Sequence, residues 1–156
     1  MKTSRVFAAI VCLMLMAAPA CDKMASDEEA LRRKVSEAEE AVEAKDLKSL
    51  MAHVSRDYYD DNGNDYKALR GILFFEFMKP GNINVFVRGV EVRVEGEVAV
   101  VDAKAFVVRG KELKTIADVI PEDAEGIDFS VVFRKEDGDW KVSGAAWAGV
   151  GLVGLL

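Results

Sequence analysis

Few side chains in this sequence could do chemistry. It has one His and two Cys in 156 residues. His53 cannot build a metal site by itself, and no Cys or carboxylate cluster stands at ligand spacing around it. As a general base it would need an orienting partner, which the sequence does not supply. It reads as a partly buried or surface residue. A second constellation is Asp57-Tyr58-Tyr59-Asp60-Asp61-Asn62-Gly63-Asn64. Three carboxylates around two phenols suit acid–base work or Ca2+. However, the run lacks the alternation and distal Glu of an EF-hand loop. Asn62-Gly63 is a strong turn signal, so a short edge strand plus a turn is expected. In an extended chain Tyr58 and Tyr59 point to opposite faces, so one can line a cavity while the other meets water. The third group is Glu37, Glu39, Glu40 and Glu43, which reads as a solvated helix face rather than a cation site. No metal and no cofactor are expected.

The whole chain narrows the classes further. A net charge of −6 and no run of Lys and Arg argue against nucleic acid, and the same charge gives no electrostatic pull toward anionic lipid. Lys2 and Arg5 precede an uncharged apolar run at 6–18. That run is shorter than the about 20 residues that a spanning helix needs, so 1–20 reads as an export signal. Cys12 lies inside it, so the mature chain keeps one thiol and cannot form an internal disulfide. Ala18-Pro19-Ala20-Cys21 resembles the lipobox of bacterial lipoproteins. The resemblance implies that Cys21 is acylated, with the protein held at the cell envelope, facing the periplasm, on either membrane. Acyl chains hold by burying CH2 groups at about 0.8 kcal/mol each. Residues 21–26 are then a short tether, with the domain at 27–148 and an apolar tail at 149–156.

The elements that must position these residues follow from periodicity. Ser26 and Glu29 have capping-box spacing, and Leu31, Val35, Ala38 and Val42 form one apolar helical stripe. Asp46 caps a second helix bearing Leu47, Leu50, Met51 and Val54. Asn64 or Asp65 starts a third, with Leu69, Ile72, Leu73, Phe74, Phe75, Phe77 and Met78. This helix is apolar nearly all round, so it is expected to be buried on more than one side. Lys79-Pro80-Gly81 stops it. Two strands and a turn then run from Ile83 to Arg109. Apolar positions are odd before Gly89 and even after it, which predicts a β-bulge at Arg88-Gly89 and a bent sheet. After an acidic connection, a strand at 127–135 and an Asp137-Gly138 hairpin turn are predicted. That turn sets Phe133 opposite Val142, Val131 opposite Gly144 and Phe129 opposite Ala146.

Helices followed by antiparallel strands make an α+β order. The runs AKDLKSLM (44–51), DYYDDNG (57–63), VEVRVEGEVAVV (90–101) and FRKEDGDWKV (133–142) resemble the ketosteroid-isomerase-like and SnoaL-like superfamily, also named for nuclear transport factor two. The resemblance implies three N-terminal helices in the concave face of a curved, mainly antiparallel sheet, the cystatin-like cone. It also implies an internal pocket and homodimers through the sheet. Tyr59 stands where many members have a pocket aromatic; Phe74, Phe77 and Trp140 complete the expected pocket wall. The superfamily's enzymes use a buried carboxylate with Tyr, His or a second acid. Those residues do not match here one by one: Asp102 shares parity with Lys104, on the face opposite Val101 and Ala103. The expectation is therefore a binding or accessory domain for a small apolar ligand. A cofactor-free isomerase or dehydratase using a buried carboxylate or His is the alternative. A structural subunit of an envelope complex is a third.

Overall fold

The computed structural model describes residues 20–110 and 124–150. Three helices, α1 (Ala20–Glu43), α2 (Leu47–Ala52) and α3 (Tyr66–Met78), precede four strands. These are β1 (Ile83–Glu95), β2 (Val98–Arg109), β3 (Ala124–Glu136) and β4 (Asp139–Val150), in one antiparallel sheet of order β1-β2-β3-β4. The α+β class holds, as does the order of three helices and then the sheet strands. The short edge strand expected around Tyr58 and Tyr59 is only a pair of isolated bridges, Val54 with Val142 and Tyr59 with Asp65. Residues 1–19, the acidic connection at 111–123 and the end of the tail at 151–156 lie outside the described residues. The strand takes up Gly149 and Val150, which the sequence reading gave to the tail.

Turns set the register. Gly96 and Glu97 link Glu95 to its partner Val98. Asp137 and Gly138 turn the second hairpin with φ of 50° and 86°, the left-handed pair that matches the twist of flanking strands. The bulge falls where the parity switch placed it: Arg88 pairs Lys104, Glu91 pairs Asp102, and Gly89 and Val90 together face one residue. A second bulge was not expected. Phe133 does pair Val142, but Val132 then pairs Gly144, Val131 pairs Ala145 and Phe129 pairs Trp147. Ser143 is the extra residue. Its carbonyl accepts the Tyr59 amide at 3.1 Å and its hydroxyl donates to the Val132 carbonyl at 3.3 Å. Its neighbour must be small, because a Cβ on Gly144 would stand 3.0 Å from the Tyr59 carbonyl oxygen. The shift carries Trp147, not Ala146, to the face that meets the helices.

Both sheet edges are covered over part of their length. Residues 53–61 run along β4, with bonds from Val142 N to His53 O, Ser55 N to Val142 O and Asp61 N to Ala145 O. Along β1 the cover comes from α1 side chains. Glu43 accepts the Val85 amide at 2.8 Å and Arg32 donates to the Val90 carbonyl at 2.9 Å. Glu39 bonds the Val87 amide. The solvated-face reading is thus corrected for Glu39 and Glu43, which satisfy edge-strand backbone groups that would otherwise be open to another chain.

The helix starts also differ from expectation. The backbone is already helical from Ala20, through the stretch read as a tether, so Ser26 caps nothing. Asp27 is instead buried, accepting from Lys135 Nζ at 2.6 Å and Trp140 Nε1 at 3.1 Å. Asp46 and Asp65 do cap α2 and α3, accepting the Ser49 and Ala68 amides. One expectation for α3 fails: none of its residues is fully buried. Leu69, Leu73 and Phe77 face inward, while Phe74 is 48% and Phe75 70% exposed. The helix faces the sheet with one side only, since among the described residues no second layer lies over it.

Candidate functional site

Between the helices and the sheet lies a cavity of about 320 Å³. Its size is at the lower end of small-molecule sites, about 300–1,000 Å³. Val35, Ala38 and Val42 of α1 form one wall and Leu69 and Leu73 of α3 another. The floor is β2, β3 and β4, through Ala103, Ala105, Phe129, Val131, Ala145 and Trp147. The hollow follows from composition. Alanines stand at the strand positions that face the helices, and no large side chain fills the space they leave.

Four ionisable residues border it: Lys34, Glu39, His53 and Tyr58. Most of their polar ends are engaged. Lys34 Nζ bonds Asp139 at 2.8 Å, and Lys141 holds the same carboxylate at 2.9 Å. Burial raises the Asp139 pKa, but these two ammonium groups outweigh it and bring the value to about 2. The Tyr58 hydroxyl donates to Asp60 Oδ2 at 3.1 Å. Burial, then that carboxylate, drives the phenol pKa upward. Asp60 is itself buried, which favours the acid form. Bonds from Asn64, Tyr58 and Asn62 win, and its pKa falls. The Asp-rich run is therefore a loop organised by Asp60, and among the described residues no group of three His, Cys, Asp or Glu could hold a metal.

His53 Nε2 lies 3.8 Å from Glu37 Oε2, too far for a hydrogen bond. Burial, then the Lys34 charge, lowers its pKa, so the ring is neutral at pH 7. Burial raises the pKa of Glu39, with the Val87 amide opposing. These two groups, one on α1 and one at the end of α2, are the acid–base inventory of the cavity.

No protein-family model and no curated protein sequence matches the chain. Solved structures do. A protein of unknown function with a cystatin-like fold from Nostoc punctiforme superposes with a TM-score of 0.65 at 14% identity, covering 85% of this chain and 97% of that one. An NTF2-like protein with a cystatin-like fold from Novosphingobium aromaticivorans gives 0.66 at 15%, covering 84% and 86%. The fold is NTF2-like. A provisionally named scytalone dehydratase from Novosphingobium aromaticivorans shares it, with 0.69 at 12% identity over 83% and 88% of the two chains. Against Bdellovibrio bacteriovorus Bd1075 the TM-score is 0.65, and the chain spans 40% of that protein's length.

Within this NTF2-like cone, none of the four expected wall residues borders the cavity. Tyr59 is 64% exposed, and its neighbour Tyr58, 3% exposed, lines the cavity instead. The alternation was legible, but the choice between the two depends on how 53–61 registers on β4. Phe74 lies on the outer side of α3. Phe77 packs against Ile83, Val85 and Ala105. Trp140, 2% exposed, is core with Leu31, Ala99, Val101 and Phe133. Leu69, Leu73, Phe129 and Trp147 are the wall residues that sequence reasoning missed. Helical spacing from Phe77 would have found Leu73 and Leu69. Nothing in the sequence marks the bulge that turns Trp147 inward. The backbone at Cys21 is helical, and its side chain lies outside the described part.

Proposed function

We propose that this is a lipid-anchored binding domain of the bacterial cell envelope, held at a membrane through acylated Cys21 and facing the periplasm. Its cavity takes a small apolar ligand without transforming it. One observation carries the reading: the cavity wall is almost wholly aliphatic and aromatic, and two of its four ionisable neighbours, Lys34 and Tyr58, have their polar ends paired with Asp139 and Asp60. Such a lining binds by excluding water from apolar surface, at about 25 cal/mol per Å² buried.

The test is titration of the full chain with a naphthalene-type fluorescent probe, beside an Ala103→Phe variant. Filling the cavity lowers probe affinity at least tenfold while the circular dichroism spectrum is kept. Unchanged affinity refutes the cavity as the site. For the anchor, Cys21→Ala moves the protein out of the detergent phase. A variant that still partitions there removes the lipoprotein reading.

A second reading is supported by Glu39, a cavity carboxylate with a raised pKa, and by His53, a cavity imidazole with a lowered one. It is a cofactor-free dehydratase or isomerase, and two fold relatives carry provisional dehydratase names. Fold likeness alone does not confer it. Glu39→Gln and His53→Asn separate the two readings. Both variants keep probe binding if the domain only binds, whereas loss of a measurable dehydration rate in either assigns catalysis.

A further inference from the structure

The outer side of α3 is a contiguous apolar surface in water. Ile72, Phe74, Phe75 and Met78 are each between 45% and 70% exposed. Ala68, Ile72 and Phe75 follow one another at helical spacing on this side, with Met78 beside them. Patches of this kind mark contact with a membrane or a protein. What flanks this one decides between them.

Beside α3, where it meets α2, runs a groove of about 450 Å³ lined by Leu47, Lys48, Met51, Ala52, Arg56, Tyr66 and Arg70. Three of these seven residues are cations and none is a carboxylate. The Arg56 guanidinium stacks on the Tyr66 ring at 4.4 Å. Among the described residues no ion pair engages Lys48, Arg56 or Arg70, whereas Lys79 and Arg109 at the far end of α3 both pair with Glu76. In a chain of net charge −6, this is a groove of three cations, with the Asp46 carboxylate partly offsetting Lys48, one turn from exposed phenylalanines. Arg70 and Phe74 are i,i+4 neighbours, so the charged and apolar surfaces are continuous.

We propose that α3 and the α2–α3 groove dock this domain on an anionic phospholipid bilayer. The Ile72, Phe75 and Met78 side chains enter the headgroup boundary while Lys48, Arg56 and Arg70 take lipid phosphates. Charge complementarity selects this occupant. A second copy seated on the patch would bring its own Lys67 and Arg70 against these, which is repulsive. A bilayer needs no directional partner for four side chains that offer neither donor nor acceptor. The inner side of the same helix supplies Leu69 and Leu73 to the cavity, so docking sets the cavity wall against the membrane. The docking surface itself does not rest on the ligand reading. It is also separate from acylation: α1 spans about 36 Å at 1.5 Å per residue, and it is Val42, at its far end from Cys21, that packs on the same Ile83, Val85 and Ala105 cluster as Phe77 of α3.

The test uses the full chain carrying Cys21→Ala and Phe75→Trp, with vesicles whose acyl chains are brominated. Phosphatidylglycerol vesicles quench the emission added at position 75 and shift it to the blue, and phosphatidylcholine vesicles do so weakly. Replacing Lys48, Arg56 and Arg70 by Gln, singly and together, weakens the phosphatidylglycerol effect by roughly fivefold per cation. Emission at position 75 that is equal with brominated and unbrominated vesicles overturns the proposal. So does calorimetric binding of inorganic phosphate to the groove with no vesicle effect, which makes it a soluble-anion site. A native mass of two chains that returns to one on Phe75→Glu assigns the patch to a second copy and overturns it too. Probe binding in the cavity is unaffected by any of these variants, so failure of docking and failure of the cavity reading remain distinguishable.

Discussion

The two ends of the cone are built from the same sheet face and differ in how they are filled. At the narrow end, by the two hairpin turns, Leu31, Ala99, Val101, Phe133 and Trp140 close on one another. Polar groups there are satisfied as well: Asp27 takes bonds from both Trp140 and Lys135. At the other end the same strands present Ala103, Ala105 and Ala145 to a helix that reaches them with Leu69 and Leu73, and a hollow remains. Stability is therefore concentrated at one end. The other is left free to hold something, at the cost of dispersion contacts its lining would otherwise make.

The sharpest way to break this contrast is Trp140→Ala. It removes the largest fully buried side chain and one of the Asp27 donors, so a loss of about 3–5 kcal/mol is expected in urea unfolding. A cost under about 1 kcal/mol would mean the narrow end is not the folded nucleus of stability. Next comes Gly144→Ala, whose methyl would press on the Tyr59 carbonyl at 3.0 Å. Over-packing of that kind costs about 1–3 kcal/mol, and amide exchange at 53–61 should speed up with it. At the hollow end Phe75→Ser sharpens the comparison from the other side. Its ring is 70% exposed, so stability should stay within about 0.5 kcal/mol of the parent. A large loss there would show that the outer side of α3 is covered in solution.

The smallest effect is a pH dependence. The folded pKa of His53 lies below its ordinary 6.5, through burial first and the Lys34 charge second. Glu37 and Asp139 oppose the shift, and Lys141 adds to it. Between the folded and unfolded values the unfolded chain binds the extra proton. Stability therefore rises with pH across that window and falls as pH drops below about 6.5. Thermal scans from pH 7.5 to 5 should show a declining midpoint, and His53→Asn should flatten it. A parent midpoint that is constant over that range contradicts a buried, neutral ring.

Much of the fold was legible because its signals are local. Asp46 and Asp65 sit one residue before their helices. Asp137-Gly138 adopts the left-handed pair its turn demands. The parity change at Gly89 is a one-dimensional record of a bulge. The site was less legible for a reason visible in two residues. Tyr58 and Tyr59 were correctly read as pointing opposite ways, yet which one points inward is set by pairing with β4, about eighty residues on. Trp147 is turned inward by the Ser143 bulge, which depends on the same pairing. The apolar character of α3 was evident, but how many sides it buries depends on whether another layer lies over it. Periodicity carries no such information.

The sequence alone determined what each segment becomes, since caps, turns and alternation act over a few residues through backbone sterics and short hydrogen bonds. It did not determine what stands beside what. Lys48, Arg56 and Arg70 are scattered along the chain and look like ordinary surface charges. Only the packing of α2 against α3 brings them to one groove, and only the meeting of two alanine-lined strands with a narrow helix leaves space behind it. Proximity between distant residues is a property of the closed chain. Charge density and empty volume both depend on it.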